Sequence, residues 1–230
     1  CLFGWCFALT DIGSLSEWET SNVSIMSYMF ADCVKLTKLS LNHFNTSKVY
    51  NMLSMFTNCT SLTSLNIDKW DVRSVTEMSN IFKNCKALTS LDLSNWNLSS
   101  LANGLSIFTR MSGLKTLRLN GVIINDTADI TNMFSENPML EYVDLSEMQI
   151  SNINKVISLL PAKTNENKGK LLILNVDNLD QVDIATANNL YWTYNIQMMK
   201  NTIYSGVRNE FTNGTRSINK IINGGNTITL

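Results

Sequence analysis

Nearly the same phrase occurs three times in this chain at one fixed distance. YMFADCVKLTKLSLNHF, SMFTNCTSLTSLNIDKW and NIFKNCKALTSLDLSNW place Phe30, Phe56 and Phe82 26 residues apart, and Cys33, Cys59 and Cys85 likewise. Leu36, Leu62 and Leu88 follow the same interval. A catalytic motif has no reason to recur in this way. A repeat of 20 to 50 residues is the mark of a unit that cannot bury its apolar face alone and stacks on its neighbours.

The period divides the chain into units 18–43, 44–69, 70–95, 96–121 and 122–147, with a degenerate unit over 148–180 that carries the insertion TNENKGK. Residues 1–17 read as a partial unit, entered midway, in which Cys6, Leu9 and Ile12 lie 27 before Cys33, Leu36 and Leu39. Gly13 accounts for the extra residue as a bulge.

Two periodicities alternate inside each unit. Leu65/Ile67 and Leu91/Leu93 alternate as a short strand with one buried face. Val49, Met52, Phe56 and Cys59 are spaced 3, 4 and 3, which predicts a helix of about three turns, with Thr46 and Ser47 as its caps. Strands that recur one unit apart in the same direction must pair in parallel. The expected fold is an α/β solenoid, a right-handed leucine-rich-repeat-like array over residues 1–180. It has a parallel sheet on one side and short helices on the other. The phenylalanines are its core plugs, and Trp18, Phe44, Trp70 and Trp96 form an aromatic ladder at the turn after each strand. Residues 181–230 are expected to form a C-terminal cap and a β-hairpin tail, with Asn-Gly turns at 213–214 and 223–224.

The phrase NTSKVYNMLSMFTNCTSLTSLNIDKW resembles the 26-residue bacterial surface protein repeat, the BspA-like leucine-rich-repeat family. The resemblance covers residues 18–95 closely. It continues over 96–147 with Met111 and Asn137 in place of the cysteine and Gly104 in place of the methionine. It implies a bacterial cell-surface protein, extracellular, with an adhesive or interaction role.

Composition narrows the function classes. A formal net charge of -1 leaves no basic excess to neutralise phosphates, so no nucleic-acid partner is expected. No apolar run reaches the ~20 residues of a membrane-spanning helix. No glycine-rich phosphate loop, HExxH or nucleophile elbow occurs, and the single His43 has no nucleophile or ligand set around it. No catalytic, cofactor or metal site is therefore assigned. The cysteines are read as small buried hydrophobes in equivalent slots.

The expected function is a non-catalytic interaction module presenting its sheet face to a protein or glycan on a host or neighbouring cell. On that face the early units carry Ser, Thr, Asn and Lys. The later ones gain Lys115, Arg118, Glu141, Tyr142 and Asp144, beside Asp92. Asp92, Arg118 and Asp144 fall in one outward column, spaced for a charge ladder. The alternative is a structural subunit of a surface fibre, assembling end to end through its open ends and its β-prone tail.

Overall fold

The computed structural model describes residues 1–162 and, as backbone, four later strands. The strands of the repeat are three residues long: β1 (Lys38–Ser40), β2 (Ser64–Asn66), β3 (Ser90–Asp92), β5 (Thr116–Arg118) and β7 (Tyr142–Asp144). Two-residue strands β4 (Asn97–Leu98) and β6 (Ile123–Ile124) lie beyond the turn. A single short helix, α1 (Ile153–Ile157), begins after Asn152, whose side chain accepts from the Asn154 N–H. Then come β8 (Gly169–Asn175), β9 (Trp192–Gln197), β10 (Lys220–Asn223) and β11 (Asn226–Thr229).

All pairing within the repeat is parallel and in the 26-residue register. Leu39 lies opposite Leu65, Leu91 opposite Leu117, and Leu117 opposite Val143. The central residue of each strand turns inward, and Leu39, Leu91, Leu117 and Val143 are buried. β8 joins β7 with Tyr142 opposite Leu171, so the pattern resumes after the insertion, and β9 adds to β8 in parallel. β10 and β11 form an antiparallel hairpin with Asn223 opposite Asn226. The turn signal at 213–214 and most of the expected 181–200 cap lie outside the described residues.

The expected helices are absent from the units before residue 148; the degenerate unit alone carries one, α1, at the equivalent position. Val49, Met52, Phe56 and Cys59 are fully buried, but the segment that carries them is a run of turns. Its amides alternate between two kinds of acceptor. Ser54, Phe56 and Asn58 donate to Ser79, Ile81 and Lys83 of the next unit, at 2.9 Å each. Met55, Thr57 and Cys59 donate back three residues, to Met52, Ser54 and Phe56. A helix would send every amide back four residues.

The backbone makes the alternation possible through two left-handed residues per unit. Tyr28, Ser54, Asn80, Ser106 and Asn132 have φ of 53 to 59°, and Asp32, Asn58, Asn84, Arg110 and Glu136 have φ of 60 to 64°. Half of these ten are Asn or Asp, the non-glycine residues that enter this region most cheaply. Met52–Met55 and Phe56–Cys59 thereby close as turns with the positive φ at the third residue, the signature of a type II turn. Thr46 caps no helix; its hydroxyl donates to the Asp71 carbonyl of the next unit at 2.9 Å.

The phenylalanines are the continuous element of the core. Phe3, Phe30, Phe56, Phe82, Phe108 and Phe134 stack in sequence with centroids 5.4 to 5.9 Å apart. That spacing is within the attractive range for offset rings. The expected second ladder is broken. Trp18 stacks on Phe44 and Trp70 on Trp96, but Trp70 also lies against Phe56 and its indole N–H donates to the Leu41 carbonyl. That bond draws the Trp70 indole toward the core.

The sheet side is interrupted once. β1 and β2 pair, and β3, β5, β7, β8 and β9 form a second sheet, but β2 and β3 do not pair. The turn side runs through this level without a break: Asn51 bridges Glu77, and Phe56 stacks on Phe82 at 5.8 Å. The units also leave their strands differently. Asn95, Gly121 and Glu147 have positive φ after β3, β5 and β7, whereas the equivalent His43 and Lys69 do not. Gly13, the extra residue of the first unit, likewise takes φ +67°.

The cysteine slot is more than a packing site. The thiols of Cys59 and Cys85 donate to the carbonyls of Phe30 and Phe56 at 3.1 Å, and Cys33 donates to Phe3. In the fifth unit the Asn137 amide takes the same role, donating to Phe108 at 2.7 Å. All five cysteines are unpaired, with Cys1 and Cys6 exposed. Burial pushes the Cys33 thiol up to about 11 and that of Cys85 up to about 12, and raises Cys59 further.

Two outcomes follow from this core. Phe56→Ala removes a ring stacked on both sides and should cost about 3–5 kcal/mol, read as a lowered midpoint in urea unfolding. The thiols set an alkaline limit. Below pH 9 they are protonated folded and unfolded alike. Above it the unfolded chain releases protons that the folded one holds, so stability falls as pH rises from 9 through 11. Melting across that range should show the decline, and Cys33→Ala should make it shallower, with Cys59 and Cys85 carrying the remainder.

Candidate interaction face

The outward residues of β3, β5 and β7 gather the side chains that could anchor a partner. The register sets Asp92 beside Arg118 and Arg118 beside Asp144, with Thr116 beside Tyr142. The Arg118 guanidinium lies over the Tyr142 ring, 5.8 Å from its centroid. It also approaches Asp92, with Nη1 3.8 Å from Oδ2. Both partners of that pair are about half exposed, so the pair orients the arginine more than it stabilises the fold.

The expected ladder of Asp92, Arg118 and Asp144 is half formed. Only Asp92 pairs with the arginine. Asp144 Oδ1 accepts from the Ser146 N–H at 3.0 Å and from its hydroxyl at 2.6 Å. Asp92 makes the same turn with Ser94 through Oδ1, which leaves Oδ2 toward Arg118. Partial burial raises the Tyr142 hydroxyl above its ordinary value, and the neighbouring Asp144 charge adds to the rise while Arg118 opposes it. The tyrosine is therefore a neutral hydroxyl with one ring face under a cation.

Lys115 is exposed and Glu141 half-buried at the start of their strands. The Lys115 carbonyl accepts the amides of both Glu141 and Tyr142. The structure thus brings Asp92, Arg118, Tyr142 and Asp144 onto adjoining strands and holds Lys115 and Glu141 at their leading edge. The early units carry shorter groups on this face: Ser40, Asn66, and Thr63, whose hydroxyl donates to the Thr37 carbonyl.

Sequence reading missed a second polar column, on the turn side. Asn58 donates to Asp32 at 2.8 Å, Asn84 donates to Asn58 at 2.7 Å, and Arg110 donates to Glu136 at 2.9 Å. These are the second set of left-handed residues. The recurrence of Asn or Asp just before each cysteine, in ADC, TNC and KNC, was the available signal. Their amides are engaged with one another, so this column ties units together and offers a ligand little.

Among the described residues no cluster of His, Cys, Asp and Glu could hold a metal ion, and no helix is long and apolar enough to cross a membrane. His43 sits edge-on to Phe44, 4.9 Å between centroids.

Comparison with known proteins places the repeat. No curated protein and no solved structure matches the chain. A family model described as Mycoplasma protein of unknown function, DUF285, matches residues 3–120. That span runs from the first stacked phenylalanine, Phe3, through the unit that contains β5. With more than half of its 230 residues in the match, the chain belongs to the DUF285 family of Mycoplasma proteins of unknown function.

Proposed function

We propose that this chain is a right-handed solenoid of the BspA-like kind, extracellular and attached to the cell surface. It acts without catalysis, by holding a protein or glycan of a host or neighbouring cell on its sheet face. The observation that carries the reading is the Arg118–Tyr142 pair, set on parallel strands and bracketed by Asp92 and Asp144. Tyr and Arg are the residue types that most often dominate binding energy at protein interfaces. An aromatic ring also suits a sugar, whose apolar C–H face packs on it while Asp and Arg take the hydroxyls. Solenoids offer such extended faces to macromolecules.

A second reading, an end-to-end fibre subunit, draws on the sheet order. β1 ends one sheet and β9 ends the other, and a strand with an open side is a template for pairing. Light scattering separates the two readings, because the fibre requires a mass that grows with concentration.

A binding screen against matrix proteins and glycans supplies the ligand. The Tyr142→Ala, Arg118→Ala double variant should then bind it at least ~30-fold more weakly, a loss of about 2 kcal/mol, with melting unchanged. Undiminished affinity would remove this face.

A further inference from the structure

We infer that the seam between β2 and β3 is a second binding site, one that accepts an extended peptide as an added parallel strand. Everywhere else in the repeat, consecutive strands are joined by the same bonds. Leu41 donates to the Asn66 carbonyl, Leu93 to Arg118 and Leu119 to Asp144. At the strand entrance Ser64 donates to the Thr37 carbonyl, Thr116 to Thr89 and Tyr142 to Lys115. The equivalent bonds at the seam would run from Ile67 to the Asp92 carbonyl and from Ser90 to the Thr63 carbonyl, and neither forms. Two strands therefore face each other with donors and acceptors in the alternation that an extended backbone matches.

The side chains agree with an opening. Leu65 is half-buried, whereas Leu39, Leu91, Leu117 and Val143 at the same position are buried. A strand that entered here would cover Leu65 with an apolar side chain. Its alternate residues would join the outward column of Asn66 and Asp92, which favours a peptide of alternating apolar and polar residues.

The fold also permits the flanking units to part. An inserted strand needs β2 and β3 about 10 Å apart, twice the ordinary strand spacing. The turn side remains bonded at this level, with Met52 donating to Glu77 and Phe56 to Ile81. Opening on the sheet side leaves the phenylalanine stack closed, but it must loosen the Trp70–Trp96 stack, 6.5 Å between centroids, in the turn that follows the two strands. The different strand exits, left-handed at Asn95, Gly121 and Glu147 but not at His43 and Lys69, place the discontinuity at this unit boundary. This site adjoins the Arg118–Tyr142 face through Asp92, but its test does not depend on that reading.

The probe is a synthetic peptide of sequence ALTSLDLSN, that of residues 87–95, which pairs in parallel with such strands within this chain. Amide hydrogen exchange on the full chain reads both the opening and its filling. Without the peptide, Ile67 and Ser90 should exchange much faster than Leu41 and Thr116. With it, segments 62–67 and 88–93 should become protected while 36–41 and 114–119 do not change. Slow exchange at Ile67 and Ser90 in the free protein would overturn the proposal, as would protection confined to β1 or β9. Concentration-dependent protection without the peptide would assign the seam to a second copy and also overturn it. Ser90→Pro deletes a seam donor that bonds nothing in the free fold. It should melt like the parent and bind the probe about tenfold more weakly, the worth of one backbone hydrogen bond. Thr116→Pro, which deletes a formed bond, should melt lower. A Ser90→Pro variant as unstable as Thr116→Pro would show that the seam is closed in solution.

Discussion

Each phenylalanine inside the stack, from Phe30 to Phe108, does two things that cannot be separated. Its ring stacks on the rings of the units before and after, and its amide donates to the unit after. The ring requires a neighbour at about 5.8 Å, and the amide requires that neighbour's backbone at hydrogen-bond distance. Both conditions hold only if every unit repeats the same path. That is why the residues around Phe30, Phe56 and Phe82 recur so closely. The thiol behind each ring completes the arrangement, because it donates to the carbonyl of the preceding phenylalanine. Where Met111 takes the slot that donor is lost, and where Asn137 takes it the donor returns as an amide. Asn137 pays with an orphaned oxygen, its Oδ1 buried and without a partner. Cysteine fits better, since a thiol satisfies the carbonyl and leaves no strong acceptor of its own.

The same residues explain what could be read from sequence and what could not. The parallel register was legible, because leucines 26 apart admit few other pairings. The turn side was not. Val49, Met52, Phe56 and Cys59 at 3, 4, 3 spacing fit one face of a helix. They fit equally well two consecutive turns that each bury their first and last residues. Periodicity counts buried positions and is blind to the sign of φ. The discriminating signal was chemical: Asn58 and Asn84, with Asn80 and Asn132, recur where the chain needs left-handed residues. On the sheet face, strand parity placed Arg118 and Tyr142 outward together. It could not show that Asp144 would be held by Ser146, although the recurring Asp-Leu-Ser of residues 92–94 and 144–146 is a sequence that closes such a turn.

Turns in place of helices have a consequence for shape. Helices packed side by side sit 8–10 Å apart, while paired strands sit about 4.8 Å apart, so a stack with one on each side must curve. Here, except between β2 and β3, both sides are tied by backbone hydrogen bonds between successive units, the strands on one side and the Ile25, Asn51, Glu77, Asn103 and Asp129 bridges on the other. Turns bonded in this way remove the wide helix layer that would force such curvature.

The seam between β2 and β3 belongs to the same logic. With the sheet side joined everywhere, the two sides would hold each other in place and no unit could tilt. Omitting one set of sheet bonds leaves the connection at that level to the turn-side amides, the phenylalanine stack and the Trp70–Trp96 stack. Leu65 is less buried there than its equivalents on the other strands. Such an arrangement costs stability relative to a closed sheet. The units on either side also differ in how they leave their strands, so the discontinuity is written into the residues at His43, Lys69 and Asn95 rather than into a single weak contact. The array therefore contains two kinds of unit joined by one spine of phenylalanines. The polar, short-chained face lies before the seam, and the Arg118–Tyr142 face lies after it.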